Sequence, residues 1–258
     1  MIMRYVLLSD IHGNLPALDA VLRDIATRGP LDGVYHLGDL VGYAPWPNEV
    51  VAALRSAGIF GVSGNYDTTV ATHYAHCGCR SENAHQEELA HQSFAWTLAN
   101  TTEDTKRDLG SLPFRLDLRP FGGHRAGPAI RLLHGNNVLN TVYVTEERSD
   151  EFLTTMAETM GARAGDLVAF GHTHKPWHRQ VGGIHFVNTG SVGRPKDGDP
   201  RAGYVLLEVA EGSARVEFVR VEYDVEEAAR AIIASELPDE FADFLRTGGA
   251  VSLAGTRR

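Results

Sequence analysis

The sequence predicts an α/β protein built as a four-layer α-β-β-α sandwich, in which two mixed sheets pack face to face and helices flank them. Over residues 4–62, short apolar runs alternate with helical patterns, as in parallel strands joined by helices. Strand patterns then dominate residues 167–221, where Gly182-Gly183 is typical of a hairpin turn, and two helical patterns follow. No repeat or low-complexity linker divides these segments, so a single domain over residues 1–258 is expected.

The first part of the chain alternates strand and helix candidates. Strands are predicted over residues 4–8, 34–37 and 59–62, and helices over residues 15–25 and 48–57. Polar residues follow directly after each of these three strands. Because ligands of open α/β sheets bind beyond the carboxyl ends of the strands, these polar residues are the first candidates for a functional site.

Residues 68–112 interrupt this alternation with many polar residues and histidines. We predict that they form an insertion packed near the site, with helices over residues 83–98 and 102–109. The strands from residue 167 onward are expected to be largely antiparallel, with the Gly182-Gly183 turn between those over residues 167–170 and 184–187. Strands are predicted over residues 114–118, 130–133, 167–170, 184–187, 204–209 and 216–221, and helices over residues 150–160, 225–235 and 238–247.

The composition is that of an ordinary globular protein, with 258 residues of which 43% are hydrophobic. The formal net charge of −9 would repel a polyanion, so long nucleic acid is not an expected partner. Bound divalent cations can reverse the sign of the local electric field, so the net charge does not argue against a small anionic substrate.

The chain offers no candidate for membrane insertion. Its first apolar stretch, residues 5–8, is too short for the core of a signal peptide. No segment approaches the roughly 18 to 20 apolar residues that a membrane helix needs. A cytoplasmic protein without a membrane partner is therefore expected, and a homodimer is the expected oligomer because it is the commonest symmetric assembly.

Five segments share one pattern, in which an apolar strand is followed by a glycine-containing turn that carries Asp, Asn or His. The segments are Ser9-Asp10-Ile11-His12-Gly13-Asn14, Gly38-Asp39-Leu40-Val41-Gly42, Gly64-Asn65-Tyr66-Asp67, His134-Gly135-Asn136 and Gly171-His172-Thr173-His174. A rigid strand and a tight turn hold a short side chain with little freedom, which a metal site requires. Any one of these residues alone would more simply be a helix cap or a turn residue, and only the five segments together indicate a metal site.

The donor types in these segments indicate the kind of metal. Oxygen donors and neutral imidazoles without thiolate suit Mn²⁺, Fe or Zn²⁺ better than a closed structural zinc site. The donors exceed what one ion can use, and two ions about 3.5 to 4 Å apart that share one carboxylate would use them all. The candidate metal ligands are Asp10, His12, Asp39, Asn65, His134, His172 and His174.

These segments, in this order, resemble the calcineurin-like metallophosphoesterase superfamily. Its pattern runs D-x-H, G-D-x-x-G, G-N-H-D or a close variant, a lone His, and G-H-x-H. The resemblance spans residues 9–174, and the turn over residues 188–193 is also similar. The short chain and the G-N-Y-D variant look more like the small bacterial phosphodiesterase branch than the protein-phosphatase branch.

The resemblance implies a division of the ligands between two divalent ions, of which Mn²⁺ is the first choice and Fe, Zn²⁺, Ni²⁺ or Mg²⁺ are alternatives. It assigns Asp10, His12 and His174 to one ion, Asn65, His134 and His172 to the other, and Asp39 to both. It further implies hydrolysis of a small-molecule phosphodiester or phosphomonoester by a hydroxide that bridges the ions.

The third segment departs from the family pattern, because Tyr66 stands where the family has a His that protonates the leaving group. A phenol with a pKa of about 10 can donate a proton but cannot cycle near neutrality as imidazole does. Three explanations stay open: Tyr66 substitutes, a loop residue such as His73 or His76 swings in, or the substrates have good leaving groups. We favour Tyr66 as a hydrogen-bond donor to the phosphate, with Asp67 as a second catalytic candidate.

Asn65 and Arg194 are the candidate substrate-binding residues. A guanidinium group fits phosphate oxygens in a bidentate manner, so either Arg194 or Arg201 could reach a substrate phosphate. The segment over residues 194–201 is equally well explained as a polar turn.

His73, His76, Cys77 and Cys79 form a dense cluster in the sequence. The one-residue spacing of the cysteines is awkward for a disulfide, and four zinc ligands in one short loop would be cramped. We favour a mobile loop lining the mouth of the site over a third zinc site. The other histidines are expected not to bind metal; they are His36, His85, His91, His124, His178 and His185.

Two other kinds of function compete with a small-molecule phosphoesterase. A dinucleoside polyphosphate hydrolase or a Ser/Thr protein phosphatase would use the same metal cage. A catalytically inactive scaffold of the same fold is supported by Tyr66 but opposed by the full ligand set, which a scaffold has no physical reason to keep.

Overall fold

The computed structural model describes residues 1–79, 83–122 and 127–250. Its strands are β1 (Ile2–Leu8), β2 (Gly33–His36), β3 (Phe60–Gly61), β4 (Leu116–Leu118), β5 (Ile130–Leu132), β6 (Leu167–Phe170), β7 (Trp177–Val181), β8 (Ile184–Asn188), β9 (Ala202–Ala210) and β10 (Ser213–Val221). Its helices are α1 (Leu15–Ala26), α2 (Pro47–Ser56), α3 (Asn65–Ala71), α4 (Ala84–Asn100), α5 (Glu103–Gly110), α6 (Asp150–Thr159), α7 (Val225–Ile233) and α8 (Glu240–Arg246). None of these helices is both long enough and apolar enough to cross a membrane.

The strands form two five-stranded sheets, with the orders β10-β9-β1-β2-β3 and β4-β5-β6-β8-β7. In the first sheet β1, β2 and β3 are parallel, whereas β9 and β10 are antiparallel to their neighbours. In the second sheet β5, β6 and β8 are parallel, and β4 and β7 form antiparallel edges. Both sheets are therefore mixed, as the sequence predicts.

Apolar side chains on three interfaces hold the layers together. Leu7 of β1, and Leu37 directly after β2, pack with Leu132 and Leu167 of the second sheet in one buried cluster between the sheets. The opposite face of the first sheet packs against α1 and α2, and the opposite face of the second packs against α6. The four-layer α-β-β-α prediction is confirmed.

The pairing of the later strands differs from the prediction. The strand over residues 184–187 is not joined to that over 167–170 by a hairpin, because β6 and β8 run parallel. β7 lies between them in sequence and pairs antiparallel with β8 at the edge of the sheet. The Gly182-Gly183 turn joins β7 to β8 instead. β7 escaped prediction because it is an edge strand of sequence Trp-His-Arg-Gln-Val, whose polar residues leave only part of one face buried.

Helix α3 was also not predicted, and the strand expected over residues 59–62 is reduced to the two residues of β3. The helix begins inside the third glycine-containing segment, with Gly64 at its N-cap. Thr68, Thr69 and Val70 give it a sequence of low intrinsic helix propensity. Burial of its first turn, rather than propensity, accounts for the helix.

Helices α4 and α5 occur where the sequence predicts helices, over residues 83–98 and 102–109. Helix α5 packs against α3, and Phe94 of α4 contacts the ring of Tyr66 at a centroid distance of 5.8 Å. These contacts bring α4 and α5 next to the loop and helix that carry Asn65 and Tyr66.

Candidate metal centre

The candidate ligands follow the carboxyl ends of four inner strands. Asp10 and His12 follow β1, Asp39 follows β2, His134 follows β5, and the Gly171-His172-Thr173-His174 loop follows β6. Because β1 and β2 are central in one sheet and β5 and β6 in the other, these loops meet at one edge of the sandwich. Asn65 reaches the same place from the first residue of α3.

The loops bring all seven predicted donors together in two adjoining groups. Asp10, His12 and His174 form one buried group, and Asp39, His134 and His172 form the other. Asp39 lies between them, with Oδ2 3.6 Å from His12 Nε2 and 3.4 Å from His134 Nε2. The seventh donor, Asn65 Oδ1, lies 3.1 Å from His134 Nε2.

Backbone carbonyls fix the orientation of three of the imidazoles. Nδ1 of His12 lies 3.0 Å from the carbonyl oxygen of Val41, and Nδ1 of His134 lies 2.8 Å from that of Leu37. His174 Nδ1 lies 2.6 Å from the carbonyl oxygen of Arg194. A carbonyl can only accept, so each Nδ1 carries the proton and each Nε2 presents a lone pair to the donor cluster.

One carboxylate oxygen of the cluster is buried without a hydrogen bond. Asp10 Oδ1 is inaccessible to solvent and accepts no hydrogen bond, although it lies 3.2 Å from His174 Nε2. Buried polar atoms are normally satisfied, so this oxygen needs an explanation. A divalent cation would supply one, since carboxylate oxygen and imidazole nitrogen are donors that it prefers.

Electrostatics keep most of the imidazoles neutral and ready to bind a cation. Burial lowers the pKa of His12 and of His172 to about 3 each, and it holds the pKa of His174 well below its usual value. His134 differs, because the Asp39 carboxylate outweighs burial and raises its pKa to about 9. In the metal-free protein His134 therefore holds a second proton, on Nε2 beside Asp39, and a cation would have to displace that proton.

The backbone at the site adopts a conformation that L side chains disfavour. Among the described residues, seven that are not glycine have positive φ, and five of these are candidate ligands. The five are Asp10 (φ 53°), His12 (φ 50°), Asp39 (φ 55°), His172 (φ 66°) and His174 (φ 60°). Such strain persists only where the surrounding structure enforces it, and it clusters at functional sites.

Glycines allow the strained loops to approach one another. A Cβ atom on Gly64 would lie 2.1 Å from Asp39 Oδ1, and one on Gly171 would lie 2.4 Å from Asp10 Oδ2. Both distances are far inside van der Waals contact, so any side chain at either position would displace a candidate ligand.

A cavity of about 560 Å³ opens over the donors, and His12, Asp39, His172 and His174 contribute to its wall. Further residues that line it are Tyr43, Tyr66, Tyr143, Lys175, Arg194 and Lys196. Three cationic side chains thus face the space above the donors. This is the charge that an anionic ligand would require.

Arg194 is held in a fixed position within this cavity. Its guanidinium carbon lies 3.9 Å from the ring centroid of Tyr43 and 3.9 Å from that of Phe244, so the group is stacked between two aromatic rings. The residue is only 5% exposed. Within the described ranges it forms no ion pair with a carboxylate, so the N–H donors at the edge of the guanidinium plane are available for a ligand.

Comparison with known proteins agrees with this geometry. Residues 3–212 match the family model of the calcineurin-like phosphoesterase superfamily domain. The chain belongs to this superfamily. It is 30% identical to an uncharacterized protein of Methanocaldococcus jannaschii, in a match that covers 93% of this chain and 96% of the relative.

Two solved structures are similar over nearly the whole chain. A metallophosphoesterase from Sphaerobacter thermophilus has a TM-score of 0.73 and 26% identity, and the match covers 96% of this chain and 100% of that one. A hypothetical protein from Pyrococcus horikoshii OT3 has a TM-score of 0.78 at 20% identity, with 97% and 100% covered, and this likeness concerns the fold.

Asp67 occupies a supporting position next to the candidate ligands. Its Oδ2 accepts from the backbone N–H groups of Asp39 (2.8 Å) and Gly64 (2.9 Å), and its Oδ1 accepts from Leu40 N–H (2.8 Å). The carboxylate is fully buried and does not line the cavity. These contacts show how Asp67 ties the Asp39 loop to α3.

Tyr66 lines the cavity, with its ring 5.5 Å from that of His12. Its hydroxyl oxygen is buried and makes no hydrogen bond of regular geometry among the described atoms, although Tyr43 and Ser93 are polar neighbours. Burial raises the pKa of Tyr66 well above its usual value, so the phenol keeps its proton. Tyr66 therefore brings a protonated phenol to the cavity wall.

The residues predicted as alternatives to Tyr66 and Arg194 lie outside the large cavity. His73 is paired with Glu103 at 3.7 Å, and His76 lines a separate cavity. Arg201 is exposed and paired with Asp199. Neither histidine, nor Arg201, lines the large cavity.

The remaining predictions for histidine and cysteine have mixed outcomes. The structure joins Cys77 to Cys79 by a disulfide, so the expectation that their spacing disfavours one is wrong. Gly78 turns the chain with φ 72° and brings the two Cα atoms to 5.3 Å, an ordinary separation for a disulfide. His124 lies outside the described residues.

Several residues of the cavity were not predicted from sequence, among them Tyr43, Lys175 and Phe244. Tyr43 directly follows the G-D-x-x-G segment and Lys175 directly follows G-H-x-H, so adjacency to a motif was a usable signal for both. Phe244 lies on α8, and no motif in the sequence around it indicates a place beside Arg194.

Proposed function

We propose that this chain is a phosphoesterase that uses two divalent ions, with Mn²⁺ as the first choice, to hydrolyse a small-molecule phosphodiester or phosphomonoester. The proposal rests chiefly on one observation. Two buried donor groups share Asp39 between them and open onto a cavity lined by Lys175, Arg194 and Lys196. Asp10, His12 and His174 would hold one ion, and Asn65, His134 and His172 would hold the other.

Bound ions would supply an activated water and polarise the phosphoryl oxygens. The chain's own residues position the substrate. Arg194 would hold a phosphate oxygen pair in its fixed guanidinium plane, and the lysines would offset the remaining charge. The buried Tyr66 hydroxyl would donate a hydrogen bond to the phosphate or to the leaving oxygen. Asp67 acts here as a positioning residue for Asp39.

Tyr66→Phe tests the role of the phenol. We expect kcat for an alkyl phosphoester to fall about 10- to 100-fold, the range of a modest acid or donor contribution, with little change in metal affinity. An aryl ester, whose leaving group needs no proton, should be affected less. Steady-state kinetics on both esters measure this, and unchanged turnover of the alkyl ester would remove Tyr66 from the mechanism.

Arg194→Lys tests the stacked guanidinium. Lysine keeps the charge but loses the planar pair of donors, so we expect KM to rise about 10-fold or more at nearly constant metal affinity. Arg201→Lys is the matched control, because Arg201 is exposed and does not line the cavity. Equal kinetic effects of the two substitutions would contradict a phosphate-binding role for Arg194.

A comparison of four substrates distinguishes the enzymatic alternatives. Turnover of a bis-aryl phosphodiester, a mono-aryl phosphate, a dinucleoside polyphosphate and a phosphopeptide would be measured with Mn²⁺ at equal concentrations. We expect the small esters to be preferred, since four of the donors line a cavity of about 560 Å³. Strong preference for the phosphopeptide would favour a protein phosphatase, and preference for a dinucleoside polyphosphate would favour that hydrolase class.

Metal content separates an enzyme from an inactive scaffold. We expect the purified protein to bind about two Mn²⁺ ions and to melt at a higher temperature when Mn²⁺ is added, because a ligand that binds only the folded state stabilises it. A protein that is isolated without metal, and that neither binds Mn²⁺ nor gains stability from it, would be a scaffold.

A further inference from the structure

The loop that carries Cys77 and Cys79 contacts the amide of a candidate metal ligand. Asn65 Nδ2 donates to the carbonyl oxygen of Cys77 at 3.0 Å and lies 3.3 Å from Cys79 Sγ. Its other amide atom, Oδ1, faces His134. An asparagine amide binds a cation only through its oxygen, so the cysteine loop determines whether Asn65 presents the correct atom.

The disulfide in this loop is accessible from two sides. Cys79 lines the large cavity above the donors, and both cysteines line a second cavity of about 330 Å³ together with His76 and His91. The backbone N–H of Cys79 donates to Cys77 Sγ at 3.2 Å. That hydrogen bond would stabilise a thiolate on Cys77, which makes Cys77 the leaving sulfur when Cys79 is attacked.

We propose that Cys77 and Cys79 form a thiol–disulfide exchange site whose redox state sets the affinity of the neighbouring ion position through Asn65. The proposal rests on the proposed metal centre and adds a regulation to it. In this arrangement the cysteines are positioning residues. In the oxidised chain the closed loop holds the acceptors of the Asn65 amide in place, and in the reduced chain it does not.

The exchange requires a dithiol as reductant. One thiolate of the dithiol attacks Cys79 Sγ, the bond to Cys77 breaks, and Cys77 leaves as the thiolate. The second thiol then attacks the mixed disulfide and releases Cys79. Two electrons and two protons pass from the dithiol to the protein, and the dithiol becomes a disulfide.

Reduction of the disulfide is expected to weaken ion binding at Asn65, His134 and His172 more than at Asp10, His12 and His174. Opening the loop frees residues 77–79 to move, and the amide of Asn65 loses the two contacts that fix its orientation. Loss of a contact that orients a metal ligand typically weakens metal affinity about 10- to 100-fold. Asp10, His12 and His174 make no described contact with the cysteine loop, so their ion should be retained.

Calorimetric titration of Mn²⁺ into the full-length protein tests this inference. One sample is oxidised with oxidised glutathione and another is reduced with dithiothreitol, and both are desalted without air before titration. We expect one of two binding steps to weaken about 10- to 100-fold on reduction while the other is unchanged. Reoxidation should restore it, which general damage to the fold would not allow.

The Cys77→Ser/Cys79→Ser double variant is the control, since it cannot close the bond. It should show the affinity of the reduced protein whether or not it meets dithiothreitol. Equal Mn²⁺ affinities of oxidised and reduced wild-type protein would overturn the inference and leave the phosphoesterase proposal intact. Two free thiols after oxidation would overturn it as well, and absence of Mn²⁺ binding in both states would overturn both proposals.

Discussion

Asp39→Asn is expected to lower kcat for phosphodiester hydrolysis about 100- to 1000-fold, the usual scale when one electrostatic contributor to a transition state is lost. Asp39 lies between the two donor groups, within 3.6 Å of His12 Nε2 and 3.4 Å of His134 Nε2, so its charge would serve both ions. Both Mn²⁺ binding steps should weaken in calorimetric titration. No other described carboxylate stands between the two groups.

Asp39→Asn removes the negative charge and keeps the shape of the side chain. Asn can keep the hydrogen bond that Asp39 Oδ1 accepts from Tyr66 N–H, and it tolerates positive φ at least as well as Asp. Asp117→Asn, on the exposed edge strand β4, is the control and should leave kinetics unchanged. Near-normal turnover by Asp39→Asn with undiminished Mn²⁺ binding would refute a dinuclear centre built around this residue.

Asp166→Ala is expected to destabilise the fold by about 3 to 5 kcal/mol, as measured by urea unfolding, because it leaves a buried charge unpaired. Arg131 and Asp166 are 3% and 2% exposed, and their ion pair is 2.8 Å long. The carboxylate also accepts from the backbone N–H groups of Ala129 and Arg163, so two further donors lose their acceptor.

Two controls accompany this prediction. Asp108→Ala breaks the exposed pair with Arg55 and should cost less than about 1 kcal/mol. The double variant Arg131→Met/Asp166→Leu removes both charges and should recover part of the lost stability, since apolar residues can replace a buried pair. A loss below 1 kcal/mol for Asp166→Ala would mean that Arg131 reaches solvent when its partner is gone.

The convergence of the candidate ligands could largely be predicted from sequence, because all of them except Asn65 lie in loops that directly follow a strand. Asp10 and Asp39 follow short apolar runs, and the order of strands in a sheet with parallel neighbours brings such strand ends to one edge. His172 and His174 follow a strand of the other sheet in the same way. The local pattern therefore carries nearly all the information that the site requires.

The residues that line the rest of the cavity could not be predicted from local sequence patterns. Phe244 reaches Arg194 only because α7 and α8 pack back toward the strand ends, a long-range arrangement that no local pattern encodes. The strand β7 was hidden for a related reason, because its pairing with β8 compensates for a polar sequence. The Cys77–Cys79 bond depends on the backbone conformation of Gly78, which spacing alone does not reveal.

The left-handed backbone at Asp10, His12, Asp39, His172 and His174 sets ion binding against conformational stability. Glycine or asparagine would relieve on the order of 1 kcal/mol at such a position, since a bulkier L side chain crowds the following carbonyl. A descendant of this chain that no longer needed cations would thus gain thermal stability by discarding its imidazoles. In such a descendant, substitutions to glycine or asparagine at the ligand positions would be expected before substitutions in the hydrophobic core.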